Sequence, residues 1–283
     1  MSTTVVITGS GCPQLVPDRA GPGALVRVGD LNLQFDAGRN TVARLIGLGI
    51  EPKDLTALFL THYHSDHVLG LPDVVLSHWV NDRMDDAPRL PLYAPNGSTS
   101  RFCERMLEVW DDDLAVRAGH NHRPPEPKFD VFGFDTPESP TEVWSHGDVR
   151  VIAGQVRHEP VVGAVGFRVE TPDGVVVISG DTLVCEEMAE LAEGADVVVY
   201  EAMRFDHVNL RPPHLRYITE YHADTRLIGA QMAALDVSTL MLTHLIPAPS
   251  SDEDKQDFID EVREGGYRGE IVVCDDLDTV TLC

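Results

Sequence analysis

Short apolar runs separated by glycine and proline recur along the first 60 residues. Residues 4 to 8, 25 to 28 and 31 to 35 have the length and the β-branched content of strands. Apolar residues at helical spacing from 42 to 48 predict a helix, and residues 56 to 60 predict the strand that follows it. A strand, a helix and a second strand in succession are typical of an α/β protein.

The same alternation continues through most of the chain. We predict helices over 71–82 and 98–111, a short strand within 88–95, and then a second series of elements that begins at residue 149. This second series comprises strands near 149–156, 163–170, 174–179, 196–200, the run to 243, 270–274 and 278–282, with helices over 186–193, 224–235 and 252–264. Two halves of similar layout predict an αββα sandwich of four layers.

Residues 111 to 147 interrupt this rhythm. The segment is acidic at its start and rich in proline from 124 to 140, so we interpret it as an insertion or lid within a single domain of residues 1–283. His120 and His122 imitate a ligand pair there, but no strand-like run leads into them. Contact with substrate or with a ligating residue is the expectation for both, and metal binding is the alternative.

Composition limits the class of protein. Hydrophobic residues make up 43% and charged residues 24% of the chain, no run of 18 apolar residues occurs, and no basic leader precedes a cleavage site. We therefore expect a cytoplasmic protein without a membrane partner. The five cysteines are scattered and lack Cys-x-x-Cys spacing, which argues against a disulfide framework or a thiolate metal site.

The net charge of −24 argues against a nucleic-acid partner. Binding of a polyanion depends on Lys and Arg contacts with phosphates, and here 46 acidic residues face 22 basic ones. A local basic patch formed by Arg204, Arg211 and Arg216 is possible in principle, although three arginines in one segment are more often solvated side chains.

Candidate chemistry is concentrated in the segment Thr-His-Tyr-His-Ser-Asp-His, residues 61 to 67. Side chains alternate along a strand, so His62 and His64 point the same way, while Asp66 and His67 in the following loop can face a second point nearby. A lone His-x-His is usually solvated surface. Three further candidate ligands, however, follow other strand-like runs, namely His158, Asp181 and His244. In open α/β sheets, residues that bind a ligand converge at the carboxyl ends of the strands.

These motifs resemble the metallo-β-lactamase fold superfamily, and five segments resemble its ribonuclease Z and arylsulfatase branch: residues 7–11, 163–169, 179–182, 200–202 and 221–225. The resemblance implies a dinuclear metal site at the sheet edges and a homodimer. One zinc ion is implied to be held by His62, His64 and His158 and the other by Asp66, His67 and His244, with Asp181 bridging them. Imidazole and carboxylate ligands also accept Mn²⁺ or Fe²⁺.

Two zinc ions can hold a bridging hydroxide at neutral pH, so hydrolysis needs no nucleophile from the protein. The branch pairs residues at the positions of His222 and Glu201, which implies that His222 protonates the leaving group while Glu201 orients its ring. A surface histidine is the alternative for His222. Asp66 occupies a position suggested to act as a base in the family, but we treat it first as a ligand. Asp36 is predicted to hydrogen-bond a ligating imidazole or, equally, to cap a helix.

The substrate is predicted from two departures from ribonuclease Z. The interval between His158 and Asp181 has no room for the arm that grips tRNA in that enzyme, and residues 17 to 20 replace its basic loop. We therefore expect a hydrolase of a small ester, which is a phosphodiester, an aryl sulfate, or a carboxylic ester or lactone. A tRNA 3′ processing endonuclease is the first alternative, and an inactive metal-binding interaction protein is the second.

Overall fold

The computed structural model describes residues 2–82, 84–121 and 126–282, and its strands form two sheets. The first sheet has the strand order β14-β1-β2-β3-β4-β5-β6. Its strands are β1 (Thr3–Gly9), β2 (Gly23–Val28), β3 (Leu31–Phe35), β4 (Ala57–Phe59), β5 (Leu90–Pro95), β6 (Phe129–Phe134) and β14 (Thr279–Thr281). The last strand of the chain therefore returns to pair with the first.

The second sheet has the order β13-β12-β11-β10-β9-β8-β7. Its strands are β7 (Thr141–His146), β8 (Val149–Gln155), β9 (Val165–Thr171), β10 (Gly174–Ile178), β11 (Val197–Met203), β12 (Thr239–Ile246) and β13 (Glu270–Val273). Strands β10 to β13 are parallel to one another, as are β3 to β6 in the first sheet.

Helices cover the outer faces of both sheets. They are α1 (Thr41–Gly47), α2 (Ser65–Val68), α3 (Leu71–Asn81), α4 (Ser98–Arg105), α5 (Asp111–Asn121), α6 (Glu186–Ala192), α7 (Phe205–Asn209), α8 (Thr225–Ala234) and α9 (Asp252–Glu264). Helix α9 begins where predicted because the Ser251 side chain accepts a hydrogen bond from the Asp254 amide. In the same way, Asp224 caps α8 by accepting bonds from the amides of Arg226 and Leu227.

Three apolar layers hold these elements together. The middle layer lies between the sheets, where the rings of Phe35 and Phe59 stack with centroids 5.0 Å apart and Phe167 of the other sheet lies 5.7 Å from Phe59. The two outer layers pack α1, α3 and α4 on the first sheet and α6, α8 and α9 on the second. The predicted αββα sandwich is confirmed.

The segment 111 to 147 is more regular than its composition indicates. It contains α5, β6 and β7, and the two strands form edges of the two sheets by pairing with β5 and β8. His120 is exposed and lies on α5, a helix that the sequence analysis did not predict, and His122 lies outside the described residues. The function of the segment as a lid stays a prediction.

The carboxyl ends of β3, β4, β10, β11 and β12 meet at one edge of the sandwich, because these strands run parallel within each sheet. Several strand ends differ from their predictions, including that of β11, which was predicted to end at residue 200 and continues to Met203. The difference in β12 bears most directly on this edge. We expected β12 to end before His244, but it continues to Ile246, and its register against β11 shifts between Thr243 and Ile246. His244 has a left-handed backbone with φ of 47°, as in a β-bulge that redirects a side chain.

Two compositional expectations can be checked against the described residues. Cys12, Cys103, Cys185 and Cys274 are buried and free of disulfides, as predicted. Within residues 2–82, 84–121 and 126–282, none of the helices combines the length and the apolar character that a membrane span requires.

A single carboxylate in the turn between β13 and β14 fixes the loop that follows β1. Asp276 accepts hydrogen bonds from the amide and the hydroxyl of Ser10 at 2.9 and 2.7 Å and from the Ala20 amide at 2.7 Å. It also pairs with Arg44 of α1 at 2.7 Å. Four hydrogen-bond donors, from Ser10, Ala20 and Arg44, therefore depend on the Asp276 carboxylate.

We expect Asp276→Ala to lower the free energy of unfolding by about 2 to 4 kcal/mol, because the buried donors of Ser10 and Ala20 lose their acceptor. Urea denaturation measures the change. Asp130→Ala is the control, since Asp130 forms an exposed pair with Arg89 whose loss should cost less than about 1 kcal/mol. Equal losses in the two variants would show that Asp276 has no special role in the fold.

Candidate metal centre

The sheet edge brings together all seven side chains proposed as ligands. One group consists of His62, His64, His158 and Asp181, and a second consists of Asp66, His67 and His244. Within each group the candidate ligand atoms lie within 4.8 Å of one another. Six of the seven side chains are buried, and His64 is half-buried on the solvent side.

Asp181 lies between the two groups. Its Oδ2 is 3.9 Å from His62 Nε2 and 3.7 Å from His158 Nε2, which belong to the first group. The same oxygen is 3.4 Å from His244 Nε2, and Oδ1 is 3.2 Å from His67 Nε2. Ligand atoms about 2.0 to 2.2 Å from one tetrahedral cation are themselves roughly 3.3 to 3.6 Å apart. The spacing suits cations shared between these residues.

Unpaired polar atoms indicate the same chemistry. Among the described residues, His62 Nε2, His67 Nε2 and Asp181 Oδ1 are buried without a hydrogen-bond partner. Buried polar atoms are normally hydrogen-bonded, so three exceptions in one cluster require an explanation. Imidazole nitrogens and carboxylate oxygens are ligands for divalent metals, and a cation at this point satisfies all three. The donor set therefore fits a divalent metal.

The opposite ring nitrogens of three histidines are held by hydrogen bonds. His62 Nδ1 lies 3.0 Å from the hydroxyl of Thr61, and His158 Nδ1 donates to the carbonyl oxygen of Tyr221 at 2.9 Å. His67 Nδ1 donates to Asp36 Oδ2 at 2.7 Å. Such bonds fix the orientation of an imidazole and leave its Nε2 for a metal. Sequence analysis missed Tyr221, because a carbonyl acceptor carries no side-chain signature.

Asp36 makes the contact predicted for it. Its carboxylate also accepts bonds from the amide and the hydroxyl of Thr61, both at 2.8 Å. The alternative, a helix cap, is not seen, because Asn40 is the N-cap of α1. Asp36 has a left-handed φ of 53°, which turns the chain at the end of β3 toward the cluster.

Protonation in the cluster follows from burial and neighbouring charge. Burial lowers the pKa of His62 well below its ordinary value and lowers the pKa of His158, so both imidazoles are neutral and able to bind a metal. Burial acts against the charge of Asp181 as well, but the adjacent His244 and His67 hold its pKa well below the ordinary range. Two neutral imidazoles thus lie beside an ionised carboxylate. Although burial disfavours the charged ring of His67, the carboxylates of Asp181, Asp36 and Asp66 raise its pKa well above the ordinary value, so a metal would have to displace a proton there.

His222 and Glu201 form a pair beside the cluster. His222 Nδ1 lies 2.8 Å from Glu201 Oε1, and that oxygen also accepts a bond from the Thr182 amide at 3.0 Å. Although burial disfavours the charged ring, the Glu201 carboxylate raises the pKa of His222 to about 9. Its ring centroid is 5.3 Å from that of His158 and equally far from that of His244.

The three arginines considered as a basic patch differ in their contacts. Arg204 forms ion pairs with Asp257 and Glu261 of α9 at 2.8 and 3.0 Å, so its charge is already neutralised by that helix. Arg216 donates from Nε to the carbonyl oxygen of Arg211 at 2.7 Å. In the described part of the chain, neither Arg211 nor Arg216 has an ion pair with a carboxylate. Two of the three thus remain available to an anionic ligand.

A groove of about 600 Å³ is lined in part by residues 63 to 72, which continue from the histidine motif. Its apolar walls come from that segment and from α4 with the turn after it, namely Tyr63, Val68, Leu69, Phe102, Met106, Val109 and Trp110. Tyr63 connects the groove to the candidate metal centre, since the centroid of its ring is 6.0 Å from that of His64. The groove gives an apolar surface directly beside the candidate metal centre.

Comparisons with known proteins identify relatives. Residues 20–244 match the family described as the Metallo-beta-lactamase superfamily. The ribonuclease Z of Mycobacterium avium (strain 104) is 34% identical over 280 residues, which cover 98% of this chain and 97% of that protein. The metallo-beta-lactamase fold protein YhfI from Bacillus subtilis superposes with a TM-score of 0.75 at 18% identity, covering 99% of this chain and 100% of YhfI. The short form of human tRNase Z gives 0.68 at 18% identity, with 99% of each chain covered.

We expect Asp181→Ala and His64→Ala to lower the metal content of the purified protein, because each removes a donor from the cluster. His120→Ala is the control, since His120 lies on α5 outside both groups. Elemental analysis of the variants, prepared side by side, measures the bound metal. Unchanged content in Asp181→Ala, or a loss in His120→Ala, would contradict the ligand set.

Proposed function

The chain belongs to the metallo-beta-lactamase superfamily, and on this basis we propose that it is a two-metal phosphodiesterase whose substrate is an RNA precursor. Zinc is the proposed metal, at about two ions per chain, with Mn²⁺ or Fe²⁺ as alternatives. One ion would be held by His62, His64 and His158 and the other by Asp66, His67 and His244, with Asp181 shared between them. When bound, the cations activate water and neutralise charge that develops on phosphoryl oxygens.

The protein's own residues position the reacting groups. Asp36, Thr61 and the Tyr221 carbonyl hold three imidazoles in place, so little rearrangement is needed when substrate arrives. Asp66 is proposed as a ligand rather than as a base, since its Oδ2 lies 3.3 Å from His244 Nε2 within the second group. A carboxylate shared with a cation is a poor proton acceptor.

His222 is proposed as the general acid. Its Nδ1 faces Glu201, so the proton to be donated is at Nε2, on the opposite side of the ring. Transfer of that proton to the departing oxygen lets an alkoxide leave as a neutral alcohol. Glu201 orients the ring and favours its protonated form. The buried pair and its place beside the cluster support this role over that of a surface histidine.

The observation that carries the RNA proposal is the near full-length similarity to a ribonuclease Z. Because that relative aligns over 97% of its own length, it has no long additional segment that this chain lacks. The absence of a tRNA-gripping arm between His158 and Asp181 therefore does not distinguish this chain from that relative. It is a weaker argument against a nucleic-acid substrate than the sequence analysis assumed. The relatives favour an RNA substrate over our first expectation of a small ester.

A small phosphodiester remains the second candidate. The hairpin of β9 and β10 fills the interval between His158 and Asp181, and the net charge is −24. Both features weaken the binding of a long polyanion. The complete cluster and the His222–Glu201 pair support catalysis over the third interpretation, an inactive interaction protein. A homodimer stays a prediction, which sedimentation analysis can check.

We expect the metal-loaded protein to cut a precursor tRNA near its 3′ end at enzyme concentrations well below that of the substrate. Gel analysis of a labelled precursor reveals the product, and Asp181→Ala serves as the inactive control. Hydrolysis of bis(p-nitrophenyl) phosphate without any precursor cleavage would replace RNA by a small phosphodiester. Absence of both activities would remove the phosphodiesterase proposal.

We expect His222→Ala to slow a phosphodiester with an alkoxide leaving group by about 10²- to 10⁴-fold. The same variant should have a much smaller effect on a p-nitrophenyl diester, because p-nitrophenolate departs without a proton. Glu201→Gln should give a weaker form of this pattern. Comparison of kcat for the two substrates, with metal content measured alongside, decides the role. Equal losses on both substrates, or loss of metal, would show that His222 is structural or a ligand.

A further inference from the structure

A half-buried arginine lies beside the second group of candidate ligands without a carboxylate partner. The guanidinium of Arg39 makes one hydrogen bond, from Nη2 to the carbonyl oxygen of Cys12 at 3.1 Å. Within the described residues, no acidic side chain pairs with it. This is unexpected in a chain with 46 acidic and 22 basic residues, because arginines removed from water are usually paired.

Neighbouring arginines differ from Arg39 in this respect. Arg19 is buried and pairs with Asp275 at 2.6 Å, and Arg44 pairs with Asp276 at 2.7 Å. Arg157, close in sequence to His158, pairs with Glu187 at 2.8 Å. These side chains link elements of the fold. Arg39 makes no such link, and most of its N–H donors remain free.

The backbone that precedes Arg39 is held against the segment of the second group. The Ala37 amide donates to the His67 carbonyl oxygen, and the Gly70 amide donates to the Ala37 carbonyl oxygen, each at 2.8 Å. Gly38 lies so close that an added Cβ would come within 2.5 Å of the Asp66 carbonyl oxygen. The segment that carries Arg39 is therefore joined to α2, which carries Asp66 and His67.

The partner of the guanidinium, the Cys12 carbonyl, belongs to the loop after β1, which packs against the strand of His244. The Thr243 hydroxyl donates to the Gly9 carbonyl oxygen, and the Leu245 amide donates to the Ser10 carbonyl oxygen, each at 3.4 Å. Arg39 thus spans two segments that both flank the group of Asp66, His67 and His244.

Gly11 leaves space for the guanidinium. A Cβ at Gly11 would lie 3.2 Å from Arg39 Nη2 and 2.7 Å from the Ala20 carbonyl oxygen. The tighter of these two contacts is with the Ala20 carbonyl oxygen, which accepts a hydrogen bond from the Gly11 amide at 2.9 Å. Glycine at this position allows that close approach of the backbone and leaves the guanidinium undisturbed.

We propose that Arg39 binds a non-bridging oxygen of the substrate's phosphodiester and so selects anionic esters over neutral ones. The planar guanidinium is suited to phosphate oxygens, and the backbone that carries it is hydrogen-bonded to the segment of Asp66 and His67. The inference rests on the proposed phosphodiesterase function and specifies the charge of its substrate. Arg39 contacts the substrate directly in this proposal.

The test compares two p-nitrophenyl esters that share a leaving group, methyl p-nitrophenyl phosphate and the neutral p-nitrophenyl acetate. We expect Arg39→Gln to lower kcat/KM for the phosphate ester roughly 10- to 100-fold, as for loss of a hydrogen bond to a charged group. The acetate should change less than about twofold, since it carries no charge to bind. Arg39→Lys should restore part of the loss, because it retains the charge.

Arg268→Gln is the matched control, because it makes the same change in net charge. The side chain of Arg268 also donates hydrogen bonds only to carbonyl oxygens, those of Arg263 and Tyr267. Arg268 precedes β13 and therefore lies at the amino end of that strand, whereas the candidate ligands lie at the carboxyl ends of the strands. Its loss should leave both substrates unchanged. Metal content and the urea midpoint are measured for every variant.

A binding measurement separates this proposal from the proposed function. Calorimetry with inorganic phosphate and metal-loaded protein should give a dissociation constant at least about 10-fold higher for Arg39→Gln than for the wild type. Unchanged phosphate binding, or equal losses on the charged and neutral esters, overturns the role of Arg39. If no phosphodiester is hydrolysed at all, the proposed function fails, while the phosphate titration still decides whether Arg39 binds the anion.

Discussion

The carboxylate of Asp181 is surrounded by four imidazole nitrogens and withdrawn from water, and such a charge costs several kcal/mol unless other charges compensate it. Neutral imidazoles present lone pairs, so without protons or cations between them these nitrogens and the carboxylate oxygens would repel one another. The unpaired atoms of His62 and His67 show that hydrogen bonds within the protein do not resolve this conflict. A divalent cation resolves it, and the geometry of the sheet edges is organised around that requirement.

Two residues of the site, a candidate ligand and a residue that orients one, have unfavourable backbone conformations. Asp36 and His244 both adopt left-handed backbone conformations, each unfavourable by about 1 to 3 kcal/mol for a residue with a side chain. Each is held there by its surroundings, Asp36 by Thr61 and His67, and His244 by the register shift between β11 and β12. Strain at two positions that face the cluster is expected where the position of a side chain matters more than the stability of its strand.

Sequence patterns predicted most of the elements and the cluster, because the ligands follow strands whose apolar periodicity is clear. The resemblance supplied their grouping, which spacing along the chain does not contain. Edge strands β6 and β7 were missed, since they are stabilised by pairing with β5 and β8 rather than by a strong local pattern. The bulge at His244 was missed because a one-residue shift in register depends on the partner strand.

Net charge is a weaker argument about the substrate than the distribution of ion pairs. Charges separated by more than about 8 to 10 Å are screened at physiological salt, so the total of −24 says little about the field at the centre. Arginines paired with carboxylates, such as Arg19 and Arg204, add little to that field. Arg39 and, before Tyr221, Arg211 and Arg216 lack such partners in the described residues. Under the proposed function, these unpaired arginines would supply positive charge for one scissile phosphodiester, and this local charge, unlike the net charge of the chain, acts within the screening length.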